Sequence, residues 1–415
     1  MKRTLSQELI ERGLVYQFNR ESLAEILDHE VRHAYLGVDP SADSIHAGNL
    51  VTYIMTQHLR NYGHKVTLLI GGATGLVGDP SFKDEEREIV SPEIIASRVN
   101  NIREQIQNIK GLESMEIVNN YDWFKEMNTL EFLRDVGKHF NVGTMIKRES
   151  VKKRIEGENG ISYAEFSYAL IQGYDYFHLY QTRGCDLQVG GSDQWGNILS
   201  GVDFVRRKTG ENLFAITIPL IIDKATGKKF GKSEGNAIWL NPEKTTPYEF
   251  YQFWINSDDV AAIDYMKKFT FLTLEEISEY EKKVANNPEL RETQKKLAYE
   301  VTAFVHGETI ADSIVKVTNI LFGAETLDGV DETTKEIIIS AAPTYKITND
   351  ENIVDLLVNT ELASSKREAR EFLGNGAITL DEKVLESPEL TIKDILNSEM
   401  AMLKRGKKKY CVLIK

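Results

Sequence analysis

Two apolar runs of strand type, Ala34-Tyr35-Leu36-Gly37-Val38 and Val66-Thr67-Leu68-Leu69-Ile70, flank a helical stretch over 45–62. No other feature constrains the fold as much. Short continuous apolar runs suit strands buried on both faces. Strand, helix, strand is a βαβ unit, whose two strands lie parallel in one sheet. The turn Asp39-Pro40-Ser41-Ala42-Asp43-Ser44 between them supplies helix-capping side chains. A further strand pattern (Leu187, Val189) leads into Gly190, and another covers 214–222. The expectation is an α/β fold on a doubly wound parallel sheet, with a ligand site at the carboxyl ends of its strands.

At 415 residues the chain has room for two to four domains. Its net charge of −13 argues against non-specific nucleic-acid binding by the whole surface. The charge is uneven. From Glu351 to Lys415 there are 11 acidic and 11 basic residues, and this neutral segment ends in the basic run Lys404-Arg405-Gly406-Lys407-Lys408-Lys409. Such a run is either a solvated tail or a phosphate-contacting loop. The two cysteines, Cys185 and Cys411, offer no disulfide framework and suit a reducing cytosol. The amino terminus lacks the apolar core of a signal peptide, and no run is long enough to span a bilayer. A cytoplasmic location without membrane contact is expected.

The pattern turns helical from Pro247 to about Leu321. Residues 324–350, with Gly329, Pro343 and Asn349-Asp350, read as a linker. Beyond it, Ile353, Leu356 and Leu357 share a helix face, Ser364-Ser365 cap a second helix, and 377–380 and 410–414 read as strands.

Two tempting motifs fail on context. His29-Glu30-Val31-Arg32-His33 fits the H-E-x-x-H zinc pattern, but the chain enters a buried strand at once, where both histidines cannot share a helix face. Gly231-Lys232-Ser233 resembles the end of a phosphate-binding P-loop, but Thr226 stands where its first glycine belongs. No protein-ligated metal is expected.

Five other motifs carry chemistry. His46-Ala47-Gly48-Asn49 opens the helix after the first strand, where helix N–H groups can hold phosphate oxygens. Gly190-Gly191-Ser192-Asp193-Gln194-Trp195-Gly196-Asn197 carries the chain from strand to helix. Lys229-Phe230-Gly231-Lys232-Ser233 places two lysines on a glycine-containing loop, expected to be mobile. Gly71-Gly72-Ala73-Thr74-Gly75 follows the second strand and leads to Asp79. Tyr168, Gln172 and Asp175 fall at i, i+4 and i+7, on one face of a helix.

With these motifs in this order, the chain resembles the tyrosyl-tRNA synthetase family of the class I aminoacyl-tRNA synthetases, bacterial type, over nearly its whole length. His46-Ala47-Gly48-Asn49 is similar to the HIGH signature, with Asn49 in place of its last His. Lys229–Ser233 is similar to KMSKS, with Phe230 and Gly231 in place of Met and Ser. The resemblance implies a Rossmann-like catalytic domain over 1–222 and a linker with the KFGKS loop over 223–246. It further implies a helical anticodon-binding domain over 247–323, a linker over 324–350 and a small α+β RNA-binding module over 351–415. Ser365-Lys366-Arg367-Glu368-Ala369-Arg370 resembles the module shared by a ribosomal protein and pseudouridine synthases.

The activity implied is activation of L-tyrosine with ATP and Mg²⁺ to tyrosyl-adenylate and pyrophosphate, then transfer to the 3′-terminal adenosine of tRNA(Tyr). The catalytic set implied is His46, Asn49, Ser41, Lys83, Arg87, Lys229, Lys232 and Ser233. Tyr35, Asp79, Tyr168, Gln172, Asp175, Gln188 and Gln194 would hold tyrosine, with Asp175 and Tyr35 on its phenol. Gly37, Asp39, Gly48, Gly191, Asp193 and Lys232 would hold ATP. A homodimer with its contact near 130–165 is also implied. The alternatives are a tryptophanyl-tRNA synthetase, which shares the fold, and a non-catalytic RNA-binding relative.

Overall fold

A computed structural model describes residues 3–81, 90–157, 160–221, 230, 232–233, 236–322, 325–327, 329–348, 351–396, 398–406 and 409–415. The chain divides into two compact units, Met1–Thr245 with Phe253–Val305, and Thr246–Gln252 with His306–Lys415.

The first unit holds a six-stranded sheet of β1 (Gln17–Phe18), β2 (His33–Val38), β3 (Lys65–Ile70), β4 (Glu116–Asn119), β5 (Leu187–Gly191) and β6 (Phe214–Ile218). Its order is β1-β6-β5-β2-β3-β4. Strands β2 to β6 run parallel, and β1 caps the edge antiparallel to β6. From β2 the chain steps outward to β3 and β4, then returns to the other side of β2 for β5. That reversal opens a crevice between β2 and β5, where open α/β sheets bind ligands. The expected doubly wound sheet is present.

Five helices of this unit bear on the site: α1 (Ala47–Asn61), α2 (Gly72–Val77), α3 (Pro92–Asn108), α4 (Tyr163–Arg183) and α5 (Trp195–Thr209). α1 buries Leu50, Val51, Ile54, Met55 and Leu59, each worth about 1.5–3 kcal/mol when removed from water. α3 starts at an Ser91 cap followed by Pro92. α4 starts with a reciprocal Ser162–Glu165 capping box and stops at left-handed Gly184. Strand β6 ends at Ile218, short of the expected 222, because Pro219 has no N–H to extend the ladder. His33 lies in β2, its ring bonded to the Arg183 carbonyl (3.0 Å) and the Thr67 hydroxyl (2.9 Å).

The second unit carries a five-stranded sheet of β7 (Thr344–Lys346), β8 (Ile378–Leu380), β9 (Lys383–Leu385), β10 (Met400–Arg405) and β11 (Lys409–Ile414). Their order is β9-β8-β10-β11-β7, antiparallel except for β7 on β11. The stretch 324–350, expected as a linker, instead contains the helix Glu332–Ala341 and strand β7. Ile338 of that helix packs with Val317, Ile320, Leu321, Met400, Met402 and Val412 in one core. Its punctuation by Gly and Pro concealed an apolar face. The helical stretch 247–323 is likewise divided between the units, after Gln252 and again after Val305, and does not form a unit of its own. Among the described residues no helix is long and apolar enough to cross a membrane. Both cysteines are buried and unpaired.

Candidate active site

A cavity of about 520 Å³ opens at the carboxyl ends of β2 and β5. Its wall brings together Tyr35, Gly37 and Asp39 from β2 and its exit, and Ser41, His46, Gly48 and Asn49 from the turn and α1. Asp79 follows α2, while Tyr168, Gln172 and Asp175 come from one face of α4. Gln188, Gly191, Asp193 and Gln194 come from β5 and its exit. Lys83, Arg87 and Lys229 lie outside the described residues, as does Gly231, on which the expected loop mobility rests. Lys232–Ser233 is described as backbone, paired antiparallel with Asn236–Ala237.

The deep end is polar and enclosed. Tyr35 and Gln188 face each other in register across β2 and β5. Both are buried, and among the described residues neither Tyr35 Oη nor Gln188 Oε1 has a hydrogen-bond partner. Asp175 is 2% exposed. It accepts from Trp123 Nε1 (2.9 Å, Oδ1) and Asn120 Nδ2 (3.1 Å, Oδ2). Burial pushes its carboxyl up to about 7; these two donors pull it down, and nearby Asp39 adds to the rise. Burial, then Asp175, also raises the Tyr35 hydroxyl well above its ordinary value. Asp175 and Tyr35, expected together on the phenol, do not bond each other: the two Asp175 oxygens accept from Asn120 and Trp123. Tyr35 is held through its ring, edge-on to Tyr176 at 5.1 Å.

The middle is a chain of polar contacts. Tyr168 Oη donates to Asp39 Oδ2 (2.7 Å), and Thr74 Oγ1 donates to Asp39 Oδ1 (2.7 Å). A Cβ on Gly71 would collide with both Thr74 Oγ1 and Asp39 Oδ1, so only glycine admits this junction. Gln194 Nε2 donates to Asp79 Oδ2 (2.7 Å), and the Ser81 N–H to Asp79 Oδ1 (2.9 Å). Two carboxylates, Asp39 and Asp79, therefore flank the space between Tyr168 and Gln194.

The outer end is the start of α1. His46 is its N-cap residue. Residues 45–47 pair with 238–240, through Ala47 N–H to the Ile238 carbonyl (2.7 Å) and Leu240 N–H to the Ile45 carbonyl (2.9 Å). A Cβ on Gly48 would come within 2.5 Å of the Phe230 carbonyl. The Phe230 side chain is itself buried among Phe253, Trp254, Tyr265 and Phe269, at 4.8–5.4 Å between ring centroids. Phe230, the aromatic second residue of the Lys229–Ser233 motif, is thus anchored beside Gly48.

Comparison with known proteins follows this geometry. Residues 28–323 match the family described as tRNA synthetases class I (W and Y), and residues 334–413 match the tyrosine–tRNA ligase SYY-like C-terminal domain. The tyrosine–tRNA ligase of Streptococcus mutans is 46% identical over 419 residues, covering 99% of each chain. That of Listeria monocytogenes is 46% identical over 416 residues, covering 97% of each. The chain belongs to the tyrosine–tRNA ligase family. A C-terminally truncated mitochondrial tyrosyl-tRNA synthetase from Aspergillus nidulans superposes with a TM-score of 0.70 at 31% identity, covering 77% of this chain and 95% of its own. A tryptophanyl-tRNA synthetase from Encephalitozoon cuniculi shares the fold, with a TM-score of 0.53 at 14% identity over 80% of this chain and 90% of its own. Full-length identity and the C-terminal match favour the tyrosine reading over the tryptophan one.

Sequence reading missed Asn120, Trp123 and Thr74. Asn120 also bonds Thr74 Oγ1 (3.2 Å) and accepts from Ala73 N–H (2.7 Å), tying α2 to Asp175. The available signal was position: Asn119-Asn120-Tyr121-Asp122-Trp123 follows a strand of the parallel sheet, where functional polar groups gather.

Proposed function

We propose that the protein activates L-tyrosine with ATP to tyrosyl-adenylate and pyrophosphate, then transfers tyrosine to the 3′-terminal adenosine of tRNA(Tyr). The observation that carries this is the deep end of the cavity. Among the described residues Tyr35 Oη and Gln188 Oε1 are buried without partners, and the Asp175 carboxyl lines the same cavity, an arrangement that suits a phenol. A substrate lacking the hydroxyl leaves these groups unpaired, at about 1–3 kcal/mol per buried group. Asp79, Tyr168 and Gln172 suit the substrate ammonium, with Asp39 close by.

The substrate carboxylate is already anionic, so its attack on the α-phosphorus needs no general base. Rate comes from alignment and from stabilising charge on the phosphate oxygens. His46, Asn49, Ser41 and the start of α1 take phosphate oxygens, and Gly48 and Gly191 lie against adenine. Lys83, Arg87, Lys229, Lys232 and Ser233 complete the phosphate grip. Mg²⁺ would enter on the ATP phosphates as part of the substrate and would supply charge neutralisation there.

The second unit, with its basic end, serves tRNA. The two buried thiols suit a reducing cytoplasm. A homodimer is supported by apolar surface between 130 and 163: Leu130 and Tyr163 are 79% and 72% exposed, with Leu133, Val142, Ile146 and Ile155 also exposed. Of the side chains expected to offer that surface, Phe132, Leu133, Phe140, Val142 and Met145, Met145 packs inside its own subunit and Phe132 and Phe140 pack against the same cluster.

ATP–pyrophosphate exchange with each of the twenty amino acids tests the reading. Exchange with tyrosine alone is expected. Exchange with tryptophan, or with none, refutes it.

A further inference from the structure

The turn between β2 and α1 delivers Ser41 and His46 to the cavity, and it is held from outside by α3. Arg98, Ile102 and Gln105 lie at i, i+4 and i+7 of that helix, so they form one stripe. Ile102 lines the cavity. Arg98 Nη1 reaches the Pro40 and Ser41 carbonyls at 3.4 and 3.3 Å. Gln105 makes the tighter set. Its Oε1 accepts from the Ile45 N–H (3.0 Å) and the Ser44 hydroxyl (3.0 Å), and its Nε2 donates to the Asp43 carbonyl (3.2 Å). Ser44 and Ile45 are both buried.

All three bonds fall on the residues immediately before His46. Gln105 itself does not line the cavity. A carboxamide both accepts and donates, which this set of partners requires. On the other side, Asp43 pairs with Lys244 (2.7 Å), and 45–47 pair with 238–240, the strand end that follows the Lys229–Ser233 motif. The entry to α1 is therefore fixed between two braces, and Gln105 is the one on α3.

Resting on the reading above, we propose that Gln105 is a positioning residue for the ATP half of the site. It sets the backbone of 43–45 so that His46 and the start of α1 point at the phosphates. The tyrosine half depends on α4, β5, Asn120 and Trp123, which Gln105 does not touch. The split between the two substrates is the signature of the role. A misplacement of about 1 Å remote from the chemistry can cost about 100-fold in rate.

Gln105→Met removes all three bonds at similar length. Expected is a fall of about 10- to 100-fold in kcat for tyrosine-dependent pyrophosphate exchange, with the equilibrium Kd for tyrosine within about twofold of wild type. Gln105→Glu keeps both acceptor bonds and should recover part of the loss. An unchanged kcat in Gln105→Met overturns the proposal. So does a tyrosine Kd that weakens in step with kcat, which marks general loosening of the fold. Should Gln105→Met not fold, Ser44→Ala removes one of the three bonds and reads the same split: lower kcat at unchanged tyrosine Kd supports the role, and unchanged kcat refutes it. Wild type assayed alongside separates this test from the functional reading, which fails only if wild type shows no tyrosine-dependent exchange.

Discussion

Replacing Trp123 by Phe isolates one hydrogen bond at the specificity end of the cavity. Trp123 Nε1 donates to Asp175 at 2.9 Å, and the indole lies on the His178 ring at 4.4 Å, 18° from parallel. Phe keeps a flat ring for the stack and removes the donor. Asn120 cannot turn to compensate, because its Oδ1 is occupied by the Ala73 N–H. A hydrogen bond to a charged group is worth about 1.5–3 kcal/mol, and one pH unit is about 1.4 kcal/mol. Losing a donor disfavours the carboxylate, so the Asp175 midpoint moves up from about 7, by about 1–2 units. A phenol that donates to this carboxylate binds the ionised form better. Tyrosine affinity should therefore rise with pH through the free protein's midpoint and level off above it. Wild type should show that rise near 7, and Trp123→Phe higher by about 1–2 units. The assay is equilibrium dialysis of tyrosine from about pH 5 to about pH 9. The ligand's own titrations are common to both proteins, so the difference in midpoint is the quantity read. Coincident midpoints, or a lower one in Trp123→Phe, refute the reasoning. The same group acts on stability with the opposite sense. Its folded-state midpoint lies above the ordinary carboxyl value, so its stabilising contribution is complete below about pH 4 and is lost as pH rises through about 7.

Three further outcomes are expected. Sedimentation equilibrium at micromolar protein should give a dimer, and Leu130→Asp with Tyr163→Asp should give monomer; a monomeric wild type removes the dimer. Arg154 and Glu165 form a bidentate, buried ion pair (3.0 and 2.8 Å), so Arg154→Met should cost about 3–5 kcal/mol in urea unfolding by stranding a buried carboxylate, and a loss below about 1 kcal/mol would show the pair to be dispensable. Ending the chain at Asn349 should leave pyrophosphate exchange largely intact, since every cavity-lining residue lies in the first unit, while abolishing tRNA charging; equal loss of both activities contradicts that division.

What the sequence made legible is what repeats at short range. The βαβ unit shows as two apolar runs around a helix, and β2 and β3 do pair in parallel. The Tyr168–Gln172–Asp175 stripe shows because helical period fixes its face, and all three do line the cavity. The features that were not legible depend on contacts between distant segments. Gln188 lies opposite Tyr35 only because the chain returns past β2 to place β5, and no local pattern encodes that pairing. Asn120 and Trp123 sit in a short polar stretch after a four-residue strand, which reads as an ordinary turn until α4 is laid over it. The helix Glu332–Ala341 was hidden by the Gly and Pro around it, and only the apolar surface of Met400, Met402 and Val412 gives its Ile338 a reason to fold there.

The same distinction separates a residue's identity from its chemistry. Asp175 could be picked out as a polar residue on the right helix face, but a carboxylate on an exposed face and one in this recess differ by about three pH units. That difference arises from burial, with Asp39 adding to it, opposed by two donors, Asn120 and Trp123, that lie 55 and 52 residues earlier in the chain. Phe230 makes the complementary case. As a replacement in a signature motif it reads as a loss of pattern, yet its ring joins Phe253, Trp254, Tyr265 and Phe269 and fixes one end of the lysine loop beside Gly48. In both cases the side chain is ordinary, and its role is set by which distant elements close around it.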